Sequence, residues 1–243
     1  MQAYQYKKRL EKQENAKFPF WKDYELDISV STIEPIEFKD AKRIIEEYEY
    51  LGGLSAMNQY MFGLYFPHKT NGNKLLSGAI VFSNDYAQNT GVWDRFIGET
   101  LLLNRGACAF WCPKGSNSHF IMSAIKQLPE KYRVITATVD EDAGEIGTIY
   151  QACNFYYVGV MRKNKQRISV IIDGKKYSSL SARKKFGTIG MAKLKAMFPD
   201  CEFVFGKSKA RYFYFRGSKR EKKYNLKQIT TMEYPKRYVN DNI

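Results

Sequence analysis

Histidine is almost missing from this chain: His68 and His119 are the two imidazoles in 243 residues. A Ser-His-Asp hydrolase needs one of them poised beside a nucleophile, so that chemistry is set aside unless one is so placed. His119 falls in a turn that starts a helix, where it reads as a phosphate contact or as a surface residue. Cysteine is scarce too. Cys108, Cys112, Cys153 and Cys201 are too few and too irregularly spaced for a disulfide framework. Cys108 and Cys112 also lack the second ligand pair of a zinc site, and the usage points to a reducing cytosol. No apolar run is long enough to span a bilayer, and the opening MQAYQYKKRLEKQENAK has no apolar core of the signal-peptide kind. The expectation is a soluble, cytoplasmic protein with no membrane partner. Internal repeats are absent.

Acidic residues are scarce in one part only. Of 39 Lys and Arg and 25 Asp and Glu, 22 and 6 lie after residue 158, a net of +16; residues 1–158 keep 17 and 19, a net of −2. A near-neutral first part with a basic second part is expected when one unit does chemistry and another holds a polyanion. The division expected is a catalytic core with a basic N-terminal arm over 1–158, and a basic nucleic-acid-binding extension over 159–243 with a partly ordered tail.

What is present is apolar enough to fold: 44% hydrophobic and 15% aromatic residues exclude a disordered chain. YELDISVSTIEPI reads as a strand and FKDAKRIIEEYEYLGG as a helix ended by glycines. YMFGLYF and KLLSGAIVF are strands joined by PHKTNGN, whose Asn71-Gly72 signals a hairpin. A loop containing GVWDRF leads to the strand ETLLLNRGACAF. SHFIMSAIKQL has helical spacing up to Pro129, and YRVITATVD is a buried-type strand. EIGTIYQACNFYYVG is a short helix, with Ile146, Ile149 and Ala152 on one face, followed by a turn at Asn154-Phe155 into a strand. The order β-α-β-β-β-α-β-α-β predicts a mixed α/β sheet flanked by helices. After Gly159, RISVIIDGKKY reads as a hairpin, SSLSARKKFG and MAKLKAMFP as two short helices, and CEFVFGKSKARYFYFRG as a second hairpin: a basic α+β extension.

In PKGSNSHF a strand runs through a small-residue turn into a helix N-terminus. Unsatisfied N–H groups and the positive dipole end then aim at one point, which suits a pyrophosphate. Gly115, Ser116, Asn117 and Ser118 are candidates for that contact, and an ordinary Ser/Asn helix cap explains them as well.

The order of elements resembles the GNAT N-acetyltransferase fold, in which acyl-CoA pyrophosphate binds between the fourth strand and the following helix. In such enzymes a tyrosine on the helix after the fifth strand protonates the departing thiolate, and Tyr150 stands at that place. The pyrophosphate turn of such enzymes usually carries several glycines, and this one carries Gly115 alone. LLLNRGA, GSNSHF, VITATVD and GTIYQACNFYYVG together resemble the phage Mom DNA-modification family over roughly residues 40–160. A weaker likeness extends into GKSKARYFYFRGSKREKK. The resemblance implies a transferase that uses acetyl-CoA or a related acyl-CoA to turn adenine in DNA into a methylcarbamoyl (acetamido-type) N6 derivative. Such a modification protects phage or mobile-element DNA from host restriction. It also implies functional roles for Arg105, Ser118, Asp140 and Tyr150.

Each of these has a plainer reading beside it. Asp140 ends a buried strand, where a carboxylate either faces the crevice or caps a loop. Ser118 donates to a phosphate or thioester oxygen, or caps the helix. Arg105 interrupts an apolar strand, and its guanidinium must find an anion or carbonyl. Tyr150 is a proton donor or a packing aromatic. Asp140, Glu141, Asp142 and Glu145 form an acidic run that reads as a solvated cap, so no metal is expected. In the basic part, Lys207, Lys209, Arg211, Arg216, Lys219 and Arg220 alternate with aromatics, a pattern of nucleic-acid grooves and equally of a core strand with solvated lysines. Two further functions remain open: a GNAT enzyme acting on a protein or small amine, and a non-enzymatic nucleic-acid binder on a GNAT scaffold. Oligomeric state is open as well.

Overall fold

A computed structural model describes residues 3–54, 58–85, 96–160 and 167–236. The loop containing GVWDRF lies outside the described residues apart from Phe96. Helix α1 (Tyr4–Glu14) occupies the basic N-terminal arm. Strand β1 (Thr32–Pro35) leads into α2 (Phe38–Tyr48), whose Ala41, Ile44, Ile45 and Tyr48 recur at helical spacing and are buried. Strands β2 (Tyr60–Pro67) and β3 (Lys74–Asn84) form the expected hairpin. At its turn Gly72 takes φ +73° and Asn71 Oδ1 accepts from Asn73 N at 3.0 Å. Then come β4 (Thr100–Cys108), α3 (Ser116–Gln127), β5 (Val134–Val139), α4 (Thr148–Ala152) and β6 (Tyr156–Val160). The order of elements through β6 is the expected one, a mixed sheet flanked by helices.

The basic part is divided between two sheets. Strands β7 (Arg167–Ile172), β8 (Lys175–Ser178) and β9 (Glu202–Gly206) make a small antiparallel sheet in the order β8-β7-β9. Helices α5 (Ser179–Phe186) and α6 (Met191–Met197) belong with it, and Val170, Ile172, Ala182, Leu194 and Cys201 form its own core. Strand β10 (Ala210–Phe215) leaves that sheet and enters the large one, whose order is β1-β2-β3-β4-β5-β10-β6. The hairpin expected over CEFVFGKSKARYFYFRG therefore does not form. β9 pairs with β7, and β10 pairs antiparallel with both β5 and β6. The cause is burial: Tyr212, Phe213 and Phe215 are each at most 1% exposed, and covering such rings on both faces stabilises by roughly 2 kcal/mol apiece. An exposed hairpin would leave them in water. A boundary at residue 158 thus cuts through one hydrogen-bonded sheet.

One local detail differs from the expectation. α4 begins at Thr148, so Ile146 precedes it; Gly144 and Gly147 both take left-handed φ of 74° and turn the chain first. Gly147 has no room for a side chain, since a Cβ there would lie 2.4 Å from the Tyr212 ring. The described part of the tail folds back onto the sheet. Helix α7 (Lys219–Leu226) starts at a Ser218/Glu221 capping box. Beyond it Met232 N donates to Tyr157 O at 2.8 Å, and Tyr234 Oη donates to Phe155 O at 2.8 Å. The segment after α7 thereby covers the outer strand β6.

Candidate active site

The site grows out of a defect in β4. Opposite β3, Val81 faces Arg105 and Phe82 faces Leu103, which leaves Asn104 as a bulge. On its other edge β4 runs parallel to β5 only from Thr100–Val134 to Leu103–Ala137. Past that point the two strands part, and Thr138 and Val139 pair with β10 alone. The gap is a cavity of about 340 Å³. Arg105 and Thr138 come from its two walls, Asn117 from the first turn of α3, and Tyr150 from α4. Two residues expected from distant parts of the sequence, Arg105 and Tyr150, therefore meet.

A charged cluster occupies the same space. Arg105 Nε donates to Gly53 O at 3.1 Å and lies 3.7 Å from Glu49 Oε1, while Nη1 donates to Asn104 O at 2.7 Å. Glu49 is 7% exposed, and its Oε2 has no hydrogen-bond partner. Burial pushes its carboxyl up to about 7; Arg105 opposes that and Glu145 adds to it. Glu145, also lining the cavity, is raised by burial although its Oε2 accepts from Asp140 N at 3.0 Å. Burial raises the Tyr150 phenol well above its ordinary range, and the charges of Glu145 and Glu49 reinforce this. Lys209, on the cavity wall, is lowered by burial. The arrangement holds two carboxyls raised by burial, Glu49 to about 7, with a phenol that keeps its proton and two cations in one partly dry space.

The remaining expected residues take other places. Gly115 caps α3 at φ +94°, Ser116 is buried with its Oγ unpartnered, and Ser118 Oγ donates back to Gly115 O at 3.0 Å. Asp140 does not open onto the cavity. Arg167 grips it through Nη1 at 2.6 Å and Nη2 at 3.0 Å, and its Oδ1 caps the turn by accepting from Asp142 N at 3.2 Å. Burial pushes the Asp140 carboxyl up, but Arg167 and Lys209 outweigh it and hold it below its ordinary range. Arg211 pairs with Asp85, which is 2% exposed. Arg216 donates to the carbonyls of Leu128, Pro129 and Tyr132 at 2.6–2.8 Å. Lys207, Lys219 and Arg220 are exposed. Glu49 and Glu145 were not singled out in the sequence: Glu49 is one of several acids in EEYEYLGG and Glu145 one of four in the acidic run, and no local pattern marks which is buried.

Among the described residues no group of three or more His, Cys, Asp or Glu is placed to hold a metal ion, and no helix is long and apolar enough to cross a membrane. No curated protein sequence matches the chain. Solved structures similar to it include a GNAT-family acetyltransferase from Bacillus anthracis, at 12% identity and TM-score 0.40, covering 79% of this chain and 97% of that one. Spermidine N-acetyltransferase from Vibrio cholerae is similar at 12% identity and TM-score 0.43, covering 77% and 94%. A Bacillus subtilis acetyltransferase in complex with CoA is similar at 12% identity and TM-score 0.36, covering 77% and 99%. Residues 30–236 match the family model described as the Mom protein family, and the chain belongs to that family.

Proposed function

We propose that this protein is an acyl-CoA-dependent transferase, with acetyl-CoA the natural candidate, that modifies the N6 amine of adenine in DNA. The observation that carries the reading is the cavity between the parted ends of β4 and β5, which has the start of α3 and the Glu49–Glu145–Tyr150 cluster in its walls. The residues present fit a pyrophosphate-bearing thioester. Ser116 Oγ is a buried polar atom with no partner, and the N–H groups of Asn117 and Ser118 belong to the first turn of a 12-residue helix, where none has an intrahelical acceptor. Of these Asn117 lines the cavity, so the N–H groups at that turn would hold the phosphates, and the thioester would supply the activated carbon.

The chain's own residues manage protons. Glu49 titrates near neutrality, so a useful fraction is ionised to take a proton from an amine at Oε2. Tyr150 Oη keeps its proton until a leaving thiolate needs one. Arg105 restrains Glu49 and keeps it from being wholly protonated. An adenine N6 lone pair is delocalised and hidden in the duplex, so the base must be extruded and desolvated, which a cavity of about 340 Å³ supports. The basic C-terminal part fits the DNA. The expected outcome is a mass-shifted deoxyadenosine in digested DNA from cells expressing the protein. An unmodified digest beside soluble protein that consumes acetyl-CoA on a protein or small amine would transfer the reading to that substrate class.

A further inference from the structure

Helix α1 precedes the family-matched residues, yet it forms part of the cavity wall through Gln5, Tyr6 and Arg9. It is tied down at both ends of the cavity. Gln5 Nε2 donates to Tyr48 O at 2.7 Å and its Oε1 accepts from Tyr50 N at 3.1 Å, beside Glu49. One turn later Arg9 Nη2 donates to Phe110 O at 2.8 Å and to Cys112 O at 2.9 Å, on the segment that leads into Gly115 and α3. Those two bonds use both hydrogens of Nη2. The three N–H groups on Nη1 and Nε have no hydrogen-bond partner among the described residues, and a partly buried guanidinium with idle donors on a cavity wall calls for an anion.

We infer that Arg9 is a phosphate contact, supplied from outside the family's shared core, and that α1 completes the ligand site. The inference rests on the proposed use of the cavity. A guanidinium meets phosphate through paired charge-assisted hydrogen bonds. The α3 turn has Lys114 as its one cation, and that residue is exposed, so Arg9 adds a charge where the backbone supplies only dipoles. The phosphate belongs either to the nucleotide half of the thioester or to the DNA strand carrying the extruded base.

The test is Arg9→Gln in the full chain, which removes the charge and keeps a polar side chain. Acetyl-CoA affinity by calorimetry, and the salt dependence of binding to a duplex oligonucleotide, are measured beside the melting temperature of the free protein. A loss of about tenfold or more in acetyl-CoA affinity assigns the contact to the thioester. Unchanged acetyl-CoA binding with a log-log salt slope reduced by about 0.9 assigns it to DNA. No acetyl-CoA binding by the parent protein, with that slope still reduced, sinks the cofactor reading and leaves the phosphate contact standing. Unchanged affinity and slope in a variant that melts like the parent overturns the inference, leaving Arg9 a brace for two carbonyls. Arg9→Lys covers a Gln variant that folds poorly: it should bind at least several-fold better than Gln, and equal weakness of the two would also overturn it.

Discussion

Glu49 shows how one residue's setting controls both stability and chemistry. Its carboxyl titrates near 7 in the fold and near 4.5 when solvated, so the folded chain binds the extra proton between those values. Stability from this group is complete below about pH 4.5 and is lost as pH rises through 7. Glu49→Gln should therefore be more stable to unfolding than the parent at pH 8, by on the order of 2 kcal/mol, with a much smaller gap at pH 5. A gap of equal size at both pH values would show that the carboxyl is not desolvated. The same variant should lose the rise in modification rate between pH 6 and 8. Tyr150→Phe keeps the ring packing on Phe155 and Tyr212, with centroids 5.5 Å from each, and removes the proton. Modification should fall about a hundredfold or more with little change in melting temperature; full activity in a rate assay would remove Tyr150 from the mechanism.

Among the elements, β10 overturns most of what its sequence invites. The alternation of Lys, Arg and aromatics in KSKARYFYFRG has the look of a nucleic-acid strand, yet the rings are core and two of the cations serve the fold. Arg216 satisfies the carbonyls around the end of α3, and without it the part-buried acceptors Leu128 O and Tyr132 O and the exposed Pro129 O lose their donor. Arg216→Ala should cost about 2–3 kcal/mol in chemical denaturation and leave the salt slope of DNA binding unchanged. A changed slope with unchanged stability would return Arg216 to the DNA surface. The Asp140–Arg167 pair has a comparable role: with Lys207 N donating to Asp142 Oδ2 at 2.9 Å, it fastens the small sheet to the cavity rim.

For the whole molecule, the strand order sets which pieces stand alone. A fragment ending at residue 158 lacks β10, so β5 and β6 lose the strand between them and Phe96 and Val134 lose Phe213 and Phe215. Such a fragment should show no cooperative melting transition by circular dichroism; a sharp transition would establish an independent catalytic unit. The surface charge has also shifted from where the sequence placed it. With Arg211 and Arg216 engaged internally and Lys209 on the cavity wall, exposed cations of the basic part lie on β8, α5, α6 and α7 and at Lys207, with Lys175, Lys176 and Lys184 among them. Replacing those three by Ala should lower the log-log salt slope of DNA binding by up to about 2.7, since each phosphate contact contributes about 0.9. An unchanged slope would move the grip away from β8 and α5 to the exposed cations of α6, α7 or Lys207.

Periodicity and turn chemistry were enough to read the order of elements through β6, because each depends on neighbours within a few residues. The helix face Ala41–Ile44–Ile45–Tyr48, the Asn71-Gly72 turn and the small-residue start of α3 are local in this sense. Arg105 was also legible, since a guanidinium inside an apolar strand announces its need for a partner. Which partner it finds was not. Glu49 and Gly53 lie far from it in sequence, and their approach depends on how α2 packs over the β4 bulge. The place of β10 was equally hidden: its alternation suits a hairpin or an interior strand, and only the two open edges at β5 and β6 decide between them. The upward shift of the Glu49 and Glu145 carboxyls comes from desolvation, a property of everything packed around a carboxyl and of nothing in its immediate sequence.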